Sequence, residues 1–234
     1  MNRRVEPEWL DQLPPDDGGA LGSRRDLQRL NVWMRNADLM AGALEAAFLR
    51  QAPVRLAELG AGDGTFLHQV ARKLRAVWPD VSAVLVDREN VPPPAGQAHL
   101  DGTSWHAEAV RADAVDWLRD SNGKPFDAIL ANLFLHHLAE TQLAELLRAA
   151  ARRTRVFVAV EPRRSAWALC CSRLVGLAGC NRVTQHDAPV SVRAGFAGRE
   201  LSLLWPAQDG WSLKEYDAGR FSHVFVAQKF DAFA

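Results

Sequence analysis

From Val54 onward, apolar positions alternate between short continuous runs and stretches in which they recur every three or four residues. Val54–Leu59 is a short apolar run ending in glycines, the pattern of a buried strand. Phe66, Val70, Leu74 and Val77 then mark one face of a helix. Val81–Val86 predicts a second strand, ended by Asp87; Trp105–Val110 predicts a third, Phe126–Ala131 a fourth and Arg155–Val160 a fifth. Leu138, Leu143, Leu146 and Leu147 mark a helix after the fourth strand. Residues 92–96 (Pro-Pro-Pro-Ala-Gly) deny a long helix between the second and third strands. Trp167–Leu177 is helical in outline, and Thr184–Phe196 reads as an irregular polar stretch within a mixed segment, 181–210. Ser212–Tyr216 and Phe221–Gln228 predict two strands joined through Asp217-Ala218-Gly219, a hairpin.

The first fifty residues differ. Pro7, Pro14, Pro15 and Gly18-Gly19 make residues 1–22 an irregular arm. Ser23 opens a helix, with Asp26 as a weak capping box. Leu27, Leu30, Met34, Leu39 and Met40 give it an apolar side, and it extends to about Arg50 with a break near Gly42. The chain thus divides into an arm with cap helices, 1–52, and an alternating β-α core, 53–234. Such alternation implies a mainly parallel sheet with helices on both faces.

Composition adds limits. A length of 234 residues fits one large domain, and 28 basic against 28 acidic side chains give zero formal charge. That argues against nucleic acid or an anionic membrane as the partner. Three cysteines, two of them adjacent (Cys170 and Cys171), suit reduced thiols and a cytoplasmic location. No apolar run follows Met1, and none approaches the roughly 18 residues of a membrane helix.

The segment Leu56-Ala57-Glu58-Leu59-Gly60-Ala61-Gly62-Asp63-Gly64-Thr65-Phe66 carries the strongest chemical signal. It joins a strand to a helix, and ligands bind outside the carboxyl ends of parallel strands. Its glycines are spaced G-x-G-x-G; a dinucleotide fold prefers G-x-G-x-x-G, and a P-loop needs a Lys-Ser/Thr pair that is missing here. Glu58 would repel a phosphate and suits a ligand bearing an ammonium and a sulfonium. Asp87, ending the next strand, can accept from two ribose hydroxyls, and Asp113 from an adenine amino group or, alternatively, from its own helix start.

As a set, Glu58-x-Gly60-x-Gly62-x-Gly64, Asp87, Asp113 and Phe126-Asp127-Ala128-Ile129-Leu130-Ala131-Asn132 resemble the motif series of class I S-adenosylmethionine-dependent methyltransferases over residues 54–161. Leu133–Leu138 is similar to the segment after strand 4 in small-molecule members. The resemblance implies a Rossmann-like α/β fold with a seven-stranded, mainly parallel sheet whose last strand is antiparallel. It implies S-adenosyl-L-methionine as cofactor, held by Glu58, Gly60, Ala61, Gly62, Gly64, Asp87, Arg88, Asp113, Ala114, Asn132 and Leu133. Ser23–Leu27 and His186–Phe196 resemble methyltransferases found beside polyketide synthesis enzymes, which points to O-methylation of a phenolic or polyketide-like small molecule. C-methylation of a quinone-like ring, a protein or nucleic-acid methyltransferase, and a catalytically silent binding partner are the alternatives. Asn132-Leu133-Phe134-Leu135 lacks the prolines that nucleic-acid amine methylators carry there.

Methyl transfer asks the protein to align a nucleophile and, for a phenol, to take its proton. His136 and His137, just past the fourth strand, and His186 are the candidate bases. Arg25, Glu161 and Arg193 are candidate acceptor contacts. Trp9, Trp33, Trp167, Trp205 and Trp211 suit either an aromatic pocket or the core. Cys170, Cys171, Cys180 and His186 match no zinc spacing, so no metal is expected.

Overall fold

Successive side chains along the central strands enter two different apolar layers. In the computed structural model, which describes residues 1–48, 52–88, 98–99, 102–120, 124–206 and 210–230, Leu56, Leu85, Leu130 and Val158 face one layer with Met40, Leu44, Leu67 and Trp105. Their neighbours Ala57, Val84, Ile129 and Phe157 face the other, with Leu118, Leu143, Leu147 and Phe225. Strands buried on both faces read as continuous apolar runs, which is why they were visible as runs in the sequence.

The strands are β1 (Arg55–Leu59), β2 (Ser82–Asp87), β3 (Ala98–His99), β4 (His106–Arg111), β5 (Phe126–Asn132), β6 (Thr154–Pro162), β7 (Trp211–Ala218) and β8 (Ser222–Lys229). Their order is β3-β4-β2-β1-β5-β6-β8-β7. β4, β2, β1, β5 and β6 pair in parallel, and β8 runs antiparallel to both β6 and β7. The seven expected strands are therefore present, with the antiparallel last strand, and a two-residue strand β3 adds to the edge beside β4. The order reverses at β1, with β2 on one side and β5 on the other, so the loops after β1 and β5 diverge and leave a crevice.

The helices are α1 (Gly18–Met34), α2 (Asn36–Phe48), α3 (Thr65–Leu74), α4 (Ala114–Asp120), α5 (Glu140–Arg153), α6 (Ala166–Ser172), α7 (Arg182–Ala194) and α8 (Glu200–Leu204). Three expectations change. α1 begins five residues before Ser23, because the Asp17 carboxylate caps the amides of Gly19 and Ala20. It ends at Arg35, in left-handed backbone with φ 58°, rather than near Gly42, which lies inside α2. Thr184–Phe196 is not irregular: it is α7, capped by Asn181 on the Thr184 amide, with Pro189 inside the helix. A proline in mid-helix removes a donor and is a poor helix signal. The 92–96 crossover and the end of the first helical segment at Arg50 lie outside the described residues.

The arm is not loose. Arg3 donates to the carbonyls of Ala194 and Leu138 at 2.9 and 2.8 Å and stacks on Phe196. The amides of Trp9 and Leu10 donate to the Asp187 carboxylate at 2.8 and 3.0 Å. Leu10–Gln12 forms a 3-10 turn.

Candidate active site

The turn after β1 is built by positive φ. Gly60, Gly62 and Gly64 lie at φ +67°, +56° and +78°, where other residues are strained. A Cβ on Gly60 would sit 2.4 Å from the Phe134 ring, so this glycine lets the loop after β5 close over the turn. A Cβ on Gly62 would meet nothing within 4 Å, because that residue borders open space. Asp87 Oδ2 accepts from the Gly62 amide at 2.9 Å and ties the turn to the end of β2.

Glu58 is buried, and its Oε2 has no hydrogen-bond partner among the described residues. Burial, and then the charges of Asp63 and Asp87, hold its carboxyl well above the usual range. An unpaired buried acceptor beside open space is what an incoming ammonium would satisfy. The residues present therefore fit a cofactor bearing an amino acid end. Asn132 and Leu133 end β5 on the same cavity. Leu133 adopts φ +50°, rare for a branched side chain, and its amide donates to the Val160 carbonyl at 3.0 Å. The Asn132 amide is held by Asn31 and Asn36 at 3.1 and 3.2 Å, which fastens the α1–α2 joint to the sheet.

The other adenosine candidates lie on the neighbouring strand ends, outside the lining of this cavity. Asp113 Oδ1 caps α4 through the amides of Val115 and Asp116, and its Oδ2 is 3.8 Å from Arg88 Nε. The helix-start alternative for Asp113 is thus realised for one oxygen. Arg88 is exposed, and Ala114 is buried as the first residue of α4.

One cavity of about 1090 Å³ runs from the glycine turn to α6 and α7. His136 and His137 both line it. His136 is buried and engaged on both nitrogens: Nδ1 lies 2.8 Å from Glu161 Oε2, and Nε2 lies 3.7 Å from Glu8 Oε1, an ion-pair distance. Burial alone would lower its pKa, but Glu161 and Glu8 together raise it to about 9. Burial would raise the Glu8 carboxyl, but His136, His137 and the Ser191 hydroxyl together lower it to about 2. Glu161 is fully buried behind the cavity; its Oε1 accepts the amides of Phe134 and Leu135, so it orients His136 and does not line the void itself. Glu8 had no signal in the sequence: it belongs to the arm, reaches the site from the far end of the chain, and also accepts from Ser191. Glu8, His136 and His137 bring potential ligand atoms within 4.8 Å of one another.

Three candidates stand elsewhere. His186 stacks on Trp9, centroids 3.9 Å apart, with Nδ1 at 2.7 Å from Asp187; it anchors the arm and does not line the cavity. Arg193 faces Glu6 at 4.0 Å, and Arg25 is exposed; neither lines the cavity, whereas Arg24 does. On a helix a shift of one position turns a side chain by about 100°, which is the difference between Arg24 and Arg25. Of the tryptophans, Trp33 lines the cavity, Trp205 is core packed edge-on against Trp211, and Trp167 lies under Arg220.

Comparison with known proteins agrees with this geometry. Residues 57–156 match the family model described as a methyltransferase domain. No curated protein is matched by sequence. Among solved structures, the plantazolicin methyltransferase BpumL in complex with SAH aligns over 92% of this chain and 91% of its own, with 13% identity and a TM-score of 0.63. The plantazolicin methyltransferase BamL aligns over 94% and 92%, with 12% identity and a TM-score of 0.65. The mitomycin 7-O-methyltransferase MmcR aligns over 94% of this chain but 60% of its own, with 15% identity and a TM-score of 0.58. At such identities the structural likeness speaks for the fold. Residues 57–156 thus match a methyltransferase domain on a Rossmann-like sheet, and the glycine turn with the buried, unpaired Glu58 Oε2 fits S-adenosylmethionine as the methyl donor.

Proposed function

We propose that this methyltransferase acts on a hydroxyl of a small, largely apolar acceptor, a phenolic or polyketide-like compound, with His136 as the base. The observation that carries the reading is the His136–Glu161 pair, 2.8 Å apart, at the cavity wall just past β5. S-adenosylmethionine, when bound, supplies a methyl group already activated on a sulfonium. Glu58 and the turn Gly60–Gly64 hold its amino acid end; Asp87, with Arg88, Asp113 and Ala114 on the adjoining strand ends, serves the adenosine; Asn132 and Leu133 floor the site. Glu161 keeps the His136 Nδ1–H, so Nε2 is the atom that receives the acceptor's proton. A phenol near pKa 10 facing an imidazole near 9 makes that transfer nearly balanced. His137 borders the acceptor without a comparable orienting partner: its Nδ1 is 3.4 Å from the exposed Asp11.

The test is a panel of phenols, aliphatic alcohols and amines incubated with methyl-labelled S-adenosylmethionine. Products carrying the label on oxygen are expected. Label found only on nitrogen or carbon would refute the reading.

A further inference from the structure

Helix α1 is inside out. None of its large apolar side chains is buried; the residues it buries are Ala20, Ser23 and Asp26. It docks through that polar face: Asp26 Oδ2 accepts the Asn181 amide at 2.7 Å and the Thr184 hydroxyl at 3.0 Å, and the Ser23 hydroxyl lies 3.0 Å from Thr184 Oγ1. Its apolar residues Leu21, Leu27, Leu30, Trp33 and Met34 all border the cavity instead. The segment across from it does the same. α6 sets the small residues Ala168 and Ser172 into the cavity wall, and Leu174 and Leu177, in and beside the 3-10 turn Val175–Ala178, line the cavity while remaining exposed. At the rim Trp33 is 77% exposed and Leu177 86%. Apolar surface turned from the core toward a void is costly in water, and a contiguous patch of it marks a ligand groove. The void is also larger than the roughly 300–1,000 Å³ that one drug-sized ligand fills.

We infer that the acceptor is elongated and apolar along its length: its hydroxyl meets His136, its body lies along Leu27, Leu30 and Met34, and its tail leaves the cavity between Trp33 and Leu177. The placement of the hydroxyl rests on the proposed function; the apolar track rests on α1 and the 3-10 turn alone. The occupant is small-molecule acceptor rather than another protein because the rim is continuous with the cavity that holds the glycine turn.

The test is calorimetry on the full chain saturated with S-adenosylhomocysteine, using 4-alkylphenols, 1-alkanols and alkylamines from one to eight carbons, below their aggregation limits. In each series affinity should rise about threefold to fourfold per methylene. The double variant Trp33→Ser/Leu177→Ser should lose that gain for the longest chains and keep its affinity for S-adenosylhomocysteine. Both positions are exposed, so folding is retained, and a melting curve checks it. Affinity independent of chain length, or an unchanged gain in the variant, would overturn the track. So would a dimer in sedimentation that the double variant dissociates, since the rim would then belong to a second copy. A rising series with methylation of amines alone would refute the hydroxyl reading and leave the track standing.

Discussion

Glu58 Oε2 is a buried carboxylate oxygen with no hydrogen-bond partner among the described residues. A raised acid pKa favours the folded state at low pH and disfavours it as pH climbs toward the folded value. Glu58→Gln should therefore melt higher than the parent at neutral pH in the absence of ligand, by about 2–4 °C for each kcal/mol of relieved charge burial. The same variant should bind S-adenosylhomocysteine at least about tenfold more weakly, one lost charged contact; calorimetry and a melting curve read both. His136 gives a second expectation. Its base form is scarce below its pKa of about 9, so kcat/KM should rise about tenfold per pH unit and level off near that value. Removing the carboxylate in Glu161→Gln should move the plateau down by about one unit or more. A flat profile would exclude His136 as the base. The glycine turn, Glu58 and Asp87 were legible in the sequence because the turn is local and the spacing from β1 to β2 is regular. The His136–Glu161 pair was legible only as two separate candidates, because they are 25 positions apart and meet through β5 and β6.

At the scale of elements, the alternating strands and helices announced themselves because a doubly covered parallel strand is apolar throughout. α7 did not, because Pro189 and a run of polar residues hide it. Much of that polarity is spent on the arm. Asp187 accepts two arm amides, His186 stacks under Trp9, and Ser191 donates to Glu8. Asp187→Ala removes two charge-assisted bonds, each worth about 1.5–3 kcal/mol. The variant should lose several degrees of melting temperature, and its arm should be cut faster by limited proteolysis. It should also lose acceptor turnover more than S-adenosylhomocysteine affinity, because Glu8 leaves His136 while Glu58 stays in place. Equal losses of both would show that the arm serves the whole fold rather than the acceptor side. α1 was legible as an amphipathic helix, but its apolar stripe reads the same whether it faces a core or a cavity.

Across the whole molecule, imidazoles clamped between carboxylates tie distant parts together. His223 on β8 is buried between Glu215 at 2.9 Å and Asp217 at 2.8 Å. Glu215 also caps α8 through the amides of Leu201 and Ser202. Burial would lower the His223 pKa, but the two carboxylates raise it. An imidazole raised above its unfolded value near 6.5 stabilises fully below that pH and loses the contribution as pH rises through its folded value. For His136 that window reaches about 9. The melting temperature should fall from pH 6.5 to 9, and His223→Gln should cost more at the lower pH than at the higher one. A deficit independent of pH would mean that His223 acts by packing alone. The docked arm has one more consequence, in the order of synthesis. Arg3 bonds a carbonyl 191 positions away, and Trp9 and Leu10 await Asp187. The arm thus leaves the ribosome well before its partners on α7, and it finds its seats only after the glycine turn and strands β1 to β6 have been made. In a growing chain the glycine turn therefore exists before the wall that the arm and α7 build on the acceptor side.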